Sequence, residues 1–160
     1  MKLLQPSDNV VKRVLARLKN EFEAEFHYLS LANQYDVMGF PNAAAFFAEE
    51  AASEATHARK LMSWLNGWNI KYQLPQVAVS VVVDDLGSGI DQSLDIESAL
   101  WEAYNADAIA VMGEDTSAYT LFGEMVQVQT EAVAEYITLR DRHTRAAGNE
   151  FLFDAEAFEK

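Results

Sequence analysis

Apolar residues recur along this chain at alternating spacings of three and four, the period of helices that turn one face toward a core. Four long segments carry the pattern. The first is predicted over residues 7–38, with Ser7 as N-cap and the stripe Val14, Leu18, Glu21, Glu25, Tyr28, Tyr35. The second, residues 42–66, ends at Gly67 and carries Phe47, Glu50, Glu54, His57, Leu61 and Trp64. The third, residues 88–112, carries Ile90, Leu94, Glu97, Trp101, Tyr104 and Val111, with Gly87 and Gly89 blurring its first turn. The fourth, residues 117–147, carries Phe122, Val126, Gln129, Val133 and Tyr136 and stops at Gly148. A short fifth helix is expected over about 149–158, where Phe151, Leu152, Phe153 and Phe158 gather.

The breaks at Gly39-Phe40-Pro41 and Gly113-Glu114-Asp115-Thr116 are short, so each pair of long helices must fold back as an antiparallel hairpin. Between the hairpins lies a connection over residues 67–86. At ~3.3 Å per extended residue against a helical rise of ~1.5 Å, it is long enough to return to the opposite end. The predicted fold is all-α: a four-helix bundle of two antiparallel hairpins joined by a long crossover, with a short C-terminal helix, in one domain spanning 1–160. Val77, Val79, Val81 and Val83 alternate in the crossover like one face of a strand. A lone strand leaves its backbone groups unpaired, so a second copy of the chain is the expected partner.

Composition narrows the chemistry. The chain has 160 residues, 50% of them apolar, which suits one domain with a sizeable core. Twelve Lys and Arg against 25 Asp and Glu give a net charge of -13, a surface that repels phosphate backbones and anionic lipid. Nucleic acid and membranes are therefore excluded as expected partners. The absence of cysteine removes disulfides, thiolate metal sites and thiol nucleophiles, so any metal must be held by oxygen and nitrogen. Pro6 interrupts the start before an apolar signal-peptide core can build, and a cytoplasmic location is expected.

Ionisable residues interrupt the apolar stripes in a matched way. Glu21 precedes Glu54 by one residue more than Glu97 precedes Gln129, so each pair straddles its turn at nearly the same distance. Folding at the turns brings Glu21 level with Glu54, and Glu97 level with Gln129, with His57 one turn from Glu54 on the same face. Buried carboxylates with no basic residue on their stripes cost several kcal/mol each unless they are neutralised, as divalent cations would do. Bridging carboxylates with one imidazole suit iron or manganese. Asp107 is a rival to Glu97 but lies some ~15 Å along the helix from the level of Gln129. His27 and His143 lie off the stripes and read as hydrogen-bonded helix histidines, and Trp101 reads as a core aromatic. Glu25 and Glu50 lie one turn from Glu21 and Glu54, shifted the same way along the bundle, and are expected to face each other as an accessory metal position.

The stretches Glu21-Phe-Glu-Ala-Glu-Phe-His-Tyr28-Leu29-Ser30, Glu54-Ala-Thr-His57-Ala-Arg-Lys-Leu61-Met62, Gln129 and Leu152-Phe153-Asp154 together resemble the non-haem ferritins, over almost the whole chain. The resemblance implies a ferritin-like bundle with a di-iron ferroxidase centre of two irons per subunit. Its ligands would be Glu21, Glu54, His57 and Glu97, with Gln129 beside it and Tyr28 as the neighbouring tyrosine. Tyr28, one heptad beyond Glu21 on the same stripe and so within about two turns of the metals, reads first as a core aromatic, with one-electron donation as the alternative. It also implies a hollow shell of twenty-four subunits that oxidises Fe(II) with dioxygen or hydrogen peroxide and stores ferric mineral. Ala132 stands where bacterioferritins and rubrerythrins have a second histidine, Ser53 where many ferritins have an extra acid, and Tyr119 and Phe122 near the acidic channel pair of animal ferritins. No methionine is placed for haem, so iron alone is expected. Two other readings are open: a soluble di-iron oxidase or peroxidase without storage, and a helical interaction module that binds no metal.

Overall fold

The computed structural model describes residues 4–158, so the single domain expected over 1–160 extends at both ends outside the described residues. Five helices follow in order: α1 (Asp8–Met38), α2 (Pro41–Gly67), α3 (Leu86–Val111), α4 (Thr116–Arg145) and α5 (Glu150–Ala157). Among the described residues no strand occurs and no helix is long and apolar enough to cross a membrane. Each boundary has a local cause. Ser7 caps α1 by accepting from the Val10 N–H at 3.3 Å, and Gly39 ends it in the left-handed conformation, φ 85°. Pro41 opens α2, where a missing N–H costs nothing. Phe40 offers α2 no side-chain cap. Asp154 of α5 supplies it, accepting from the Ala43 N–H at 2.7 Å and the Asn42 N–H at 3.3 Å.

Helix α3 begins two residues earlier than its glycines suggest, because Asp85 and Ser88 form a reciprocal capping box. Gly89 then lies inside the helix for a steric reason: a Cβ there would stand 1.9 Å from the Tyr35 hydroxyl oxygen. That hydroxyl donates to the Asp85 carbonyl at 2.9 Å and ties the end of α1 to the start of α3.

The helices pack as two antiparallel hairpins around a core of Val14, Leu18, Phe47, Leu61, Ile90, Phe122 and their neighbours. The crossover between α2 and α3 runs over the bundle. Val77, Val79 and Val81 are half-buried and Val83 is buried, each flanked by exposed residues. Gln34 Nε2 donates to the Val81 carbonyl at 2.9 Å and Gln92 Nε2 to the Val82 carbonyl at 3.1 Å. Phe153 of α5 and Phe158 just beyond its end are buried, while Phe151 and Leu152 face outward. One core assignment needs correction: Trp101 lies at the surface, its Nε1 donating to Thr130 Oγ1 at 3.0 Å. Leu100 occupies the interior instead, while Ile90, Leu94, Glu97, Tyr104 and Val111 of the expected stripe are all buried.

Candidate metal centre

Glu21, Glu54, Glu97 and Gln129, one from each long helix, are all buried, and His57 beside Glu54 is half-buried. His57 Nδ1 lies 3.0 Å from Glu54 Oε2 and 3.6 Å from Glu21 Oε2. Ligand atoms of these three residues all lie within 4.8 Å of one another, a span one cation can bridge. Glu97 stands close enough to Glu21 and Glu54 for their charges to act on one another. Two cross-bundle hydrogen bonds fix the register of the antiparallel helices α1 and α3. The Tyr28 hydroxyl of α1 donates to Glu97 Oε1, and the Tyr104 hydroxyl of α3 donates to Glu21 Oε1.

Burial sets the electrostatics. It pushes the Glu54 carboxyl well above the carboxylate range and the Glu97 carboxyl up to about 7. It works in the same direction on Glu21, but hydrogen bonds from His57, Glu54 and Tyr104 outweigh it and hold that carboxyl below its ordinary value. Burial alone would lower His57, yet its bonds to Glu21 and Glu54 raise it to about 10. Without metal, the cluster thus favours the protonated forms of Glu54 and His57, in the place where a divalent cation would supply positive charge. Glu21 Oε2, Glu97 Oε2 and both amide atoms of Gln129 are buried without a hydrogen-bond partner. Such atoms are costly unless something binds them. An oxygen-rich set with one imidazole fits iron.

Tyr28, about two turns along α1 from Glu21, is in direct contact with a candidate ligand on the facing helix, Glu97. Its ring stacks on Phe47 at 6.0 Å and on Tyr136 at 6.2 Å. Tyr104 and Tyr136 escaped notice as anything beyond stripe members. The signal available for Tyr104 was its position seven residues after Glu97, as Tyr28 follows Glu21. Glu50 is half-buried and accepts from the Tyr136 hydroxyl at 3.5 Å, and its charge adds to the upward pressure on Glu97. Glu25 is also half-buried. Asp107 is engaged elsewhere, paired with Arg13 at 2.8 Å and Arg17 at 3.5 Å. His143 does make a helix-end bond, to Glu150 at 2.6 Å. His27 does not fit its expected role: it is buried with Nε2 unpartnered, and desolvation lowers it to about 4.

Residues 12–146 match the family model for the ferritin-like domain. The chain belongs to the ferritin family. Sixty residues are 38% identical to a probable bacterial non-heme ferritin-like protein of Haemophilus influenzae, a stretch covering 38% of this chain and 36% of that protein. The matched stretch thus spans about a third of that relative's length. Among solved structures, the open pore ferritin of the hyperthermophilic archaeon Archaeoglobus fulgidus is similar with a TM-score of 0.90 at 16% identity, over 96% of this chain and 98% of that one. A closed form of the same ferritin, engineered by site-directed mutagenesis, is similar with a TM-score of 0.88 at 16% identity, over the same 96% and 98%. At that identity the likeness establishes the fold, a ferritin-like four-helix bundle with a short C-terminal helix.

Proposed function

We propose that this chain is a ferritin that takes Fe(II) as substrate at a paired site within one subunit, oxidises it and stores the ferric product in a closed shell. The observation that carries the reading is the cluster of Glu21, Glu54 and His57, whose ligand atoms lie within 4.8 Å of one another, together with buried oxygens on Glu21, Glu97 and Gln129 that accept no hydrogen bond. Glu54, between the two halves, bridges two ions. Glu21 and His57 complete one subsite, Glu97 and Gln129 the other. Two ferrous ions release two electrons, enough with two protons to convert dioxygen to hydrogen peroxide, or hydrogen peroxide to two waters. Hard carboxylates favour the ferric product, while the imidazole and the amide make the two subsites unequal.

Glu25 and Glu50 form an accessory iron position in the same proposal. Antiparallel pairing of α1 with α2 sets them at one level, one turn from the centre, and the charge of Glu50 already reaches Glu97. The shell, of twenty-four subunits in the family pattern, draws support from the half-buried valine row of the crossover and from exposed Phe26 and Leu29 beside Val79. A cytoplasmic location completes the proposal.

Stopped-flow oxidation of Fe(II) tests the site. Wild-type protein should show a fast phase that saturates at about two irons per subunit. Glu54→Ala and His57→Ala should each abolish it while helicity stays near wild type. An unchanged fast phase in both variants would sink the assignment.

A further inference from the structure

The two hairpins repeat one another around the centre. Tyr28 follows Glu21 by seven residues and Tyr104 follows Glu97 by seven; Phe47 precedes Glu54 by seven and Phe122 precedes Gln129 by seven. The contacts repeat as well. Tyr28 packs on Phe47 at 6.0 Å and donates to Glu97 Oε1, leaving Glu97 Oε2 buried and unpartnered. Tyr104 packs near Phe122 at 6.2 Å and donates to Glu21 Oε1, leaving Glu21 Oε2 buried and facing His57 Nδ1 at 3.6 Å. Each tyrosine thus reaches from one hairpin to the outer carboxylate of the other and occupies one of its oxygens, leaving the second to the metal site.

We infer that Tyr104 is a positioning residue for the Glu21 subsite, the counterpart of Tyr28 at the Glu97 subsite, and that the pair holds each outer glutamate to single-oxygen ligation. The inference rests on the paired-site reading above. A carboxylate with one oxygen held by a buried hydroxyl cannot swing to chelate an ion with both, so the ion keeps an open coordination position for the oxidant. The ring also fixes the carboxylate's direction, because Tyr104 is fully buried and has no room to follow a rotating glutamate. Removal of a hydrogen-bond partner behind a metal ligand generally costs 10- to 100-fold in affinity. Here the cost is directional. The Tyr104 hydroxyl serves one subsite and the Tyr28 hydroxyl the other.

Tyr104→Phe and Tyr28→Phe keep both rings and their packing, so both variants should retain wild-type helicity and a melting temperature close to wild type without metal. Calorimetric titration with Fe(II) under nitrogen, paired with crystals soaked in sub-saturating Fe(II), separates the subsites. In Tyr104→Phe, Fe(II) affinity at the Glu21–His57 subsite should fall about tenfold or more, with both Glu21 oxygens turned to the ion where it binds and the Glu97 subsite unchanged. Tyr28→Phe should give the mirror result. Wild-type affinity with an unmoved Glu21 in Tyr104→Phe overturns the inference, as does equal weakening of both subsites by each variant, which marks a general packing loss. If wild-type protein itself binds no Fe(II) inside the bundle, the paired-site reading fails, and the inference with it.

Discussion

Glu97 enters the neutral pH range with its proton because burial raises its carboxyl to about 7 from an ordinary value of 4.5. Between those values the folded metal-free chain keeps a proton that the unfolded chain has released, so this residue makes stability fall as pH rises across the interval. A cation needs that proton gone, so Fe(II) affinity rises over the same interval, by at most about tenfold per pH unit for each proton displaced. Thermal denaturation of metal-free protein should therefore show a component that declines from pH 4.5 to 7 and is absent in Glu97→Gln; parallel curves would show that Glu97 ionises normally. The acids themselves were readable from the chain, since a charge that interrupts an apolar stripe is expensive unless it has work to do. Tyr104 was not, because a hydroxyl on a stripe is indistinguishable from an apolar aromatic until its partner is seen. Trp101 was misplaced because spacings of three and four both fit a 3.6-residue period, so Leu100 and Trp101 were equally eligible for the position after Glu97.

Helix α5 is short, yet it braces the starts of two long helices. Glu150 Oε2 accepts from the Leu86 N–H of α3 at 2.8 Å, and Asp154 caps α2. Asp154→Ala should lower stability by about 1–2 kcal/mol, the usual worth of an N-cap, with a lower urea midpoint and an unchanged slope. An unchanged midpoint would mean that water caps α2 equally well. Gly89→Ala places a methyl group where the Tyr35 hydroxyl now sits. It should cost about 1–3 kcal/mol through overpacking and loss of the bond to the Asp85 carbonyl. A calorimetric melt indistinguishable from wild type would show that Tyr35 moves aside freely. The hairpins and their turns were legible from Gly39-Phe40-Pro41 and the stripe period. The start of α3 was obscured because two glycines in the first turn argue for a loop, while the Asp85–Ser88 box that outweighs them is a weak signal by itself. That an acid in α5 caps α2 depends on packing between segments far apart in sequence, which no local pattern reports.

At the scale of the whole molecule, a net charge of -13 disfavours loose association, so apolar contacts must decide assembly. Phe26 and Leu29 are 43% and 47% exposed and share a groove with Val79 of the crossover. Sedimentation should show a large closed assembly at micromolar concentration for the native chain. A Phe26→Glu, Leu29→Glu double variant should sediment as smaller species of unchanged helicity, and assembly identical to wild type would remove that face from the interface. The alternating valines were visible in the sequence, but the partner proposed for them, a second subunit, leaves no pattern in a single chain. The paired iron site is the claim on which the rest depends. Anomalous diffraction at the iron edge, on wild-type crystals loaded with Fe(II) under nitrogen, tests it most directly. Two adjacent peaks bridged by Glu54, one beside Glu21 and His57 and the other beside Glu97 and Gln129, are the expected result; iron found only on surface carboxylates, with none inside the bundle, would contradict it.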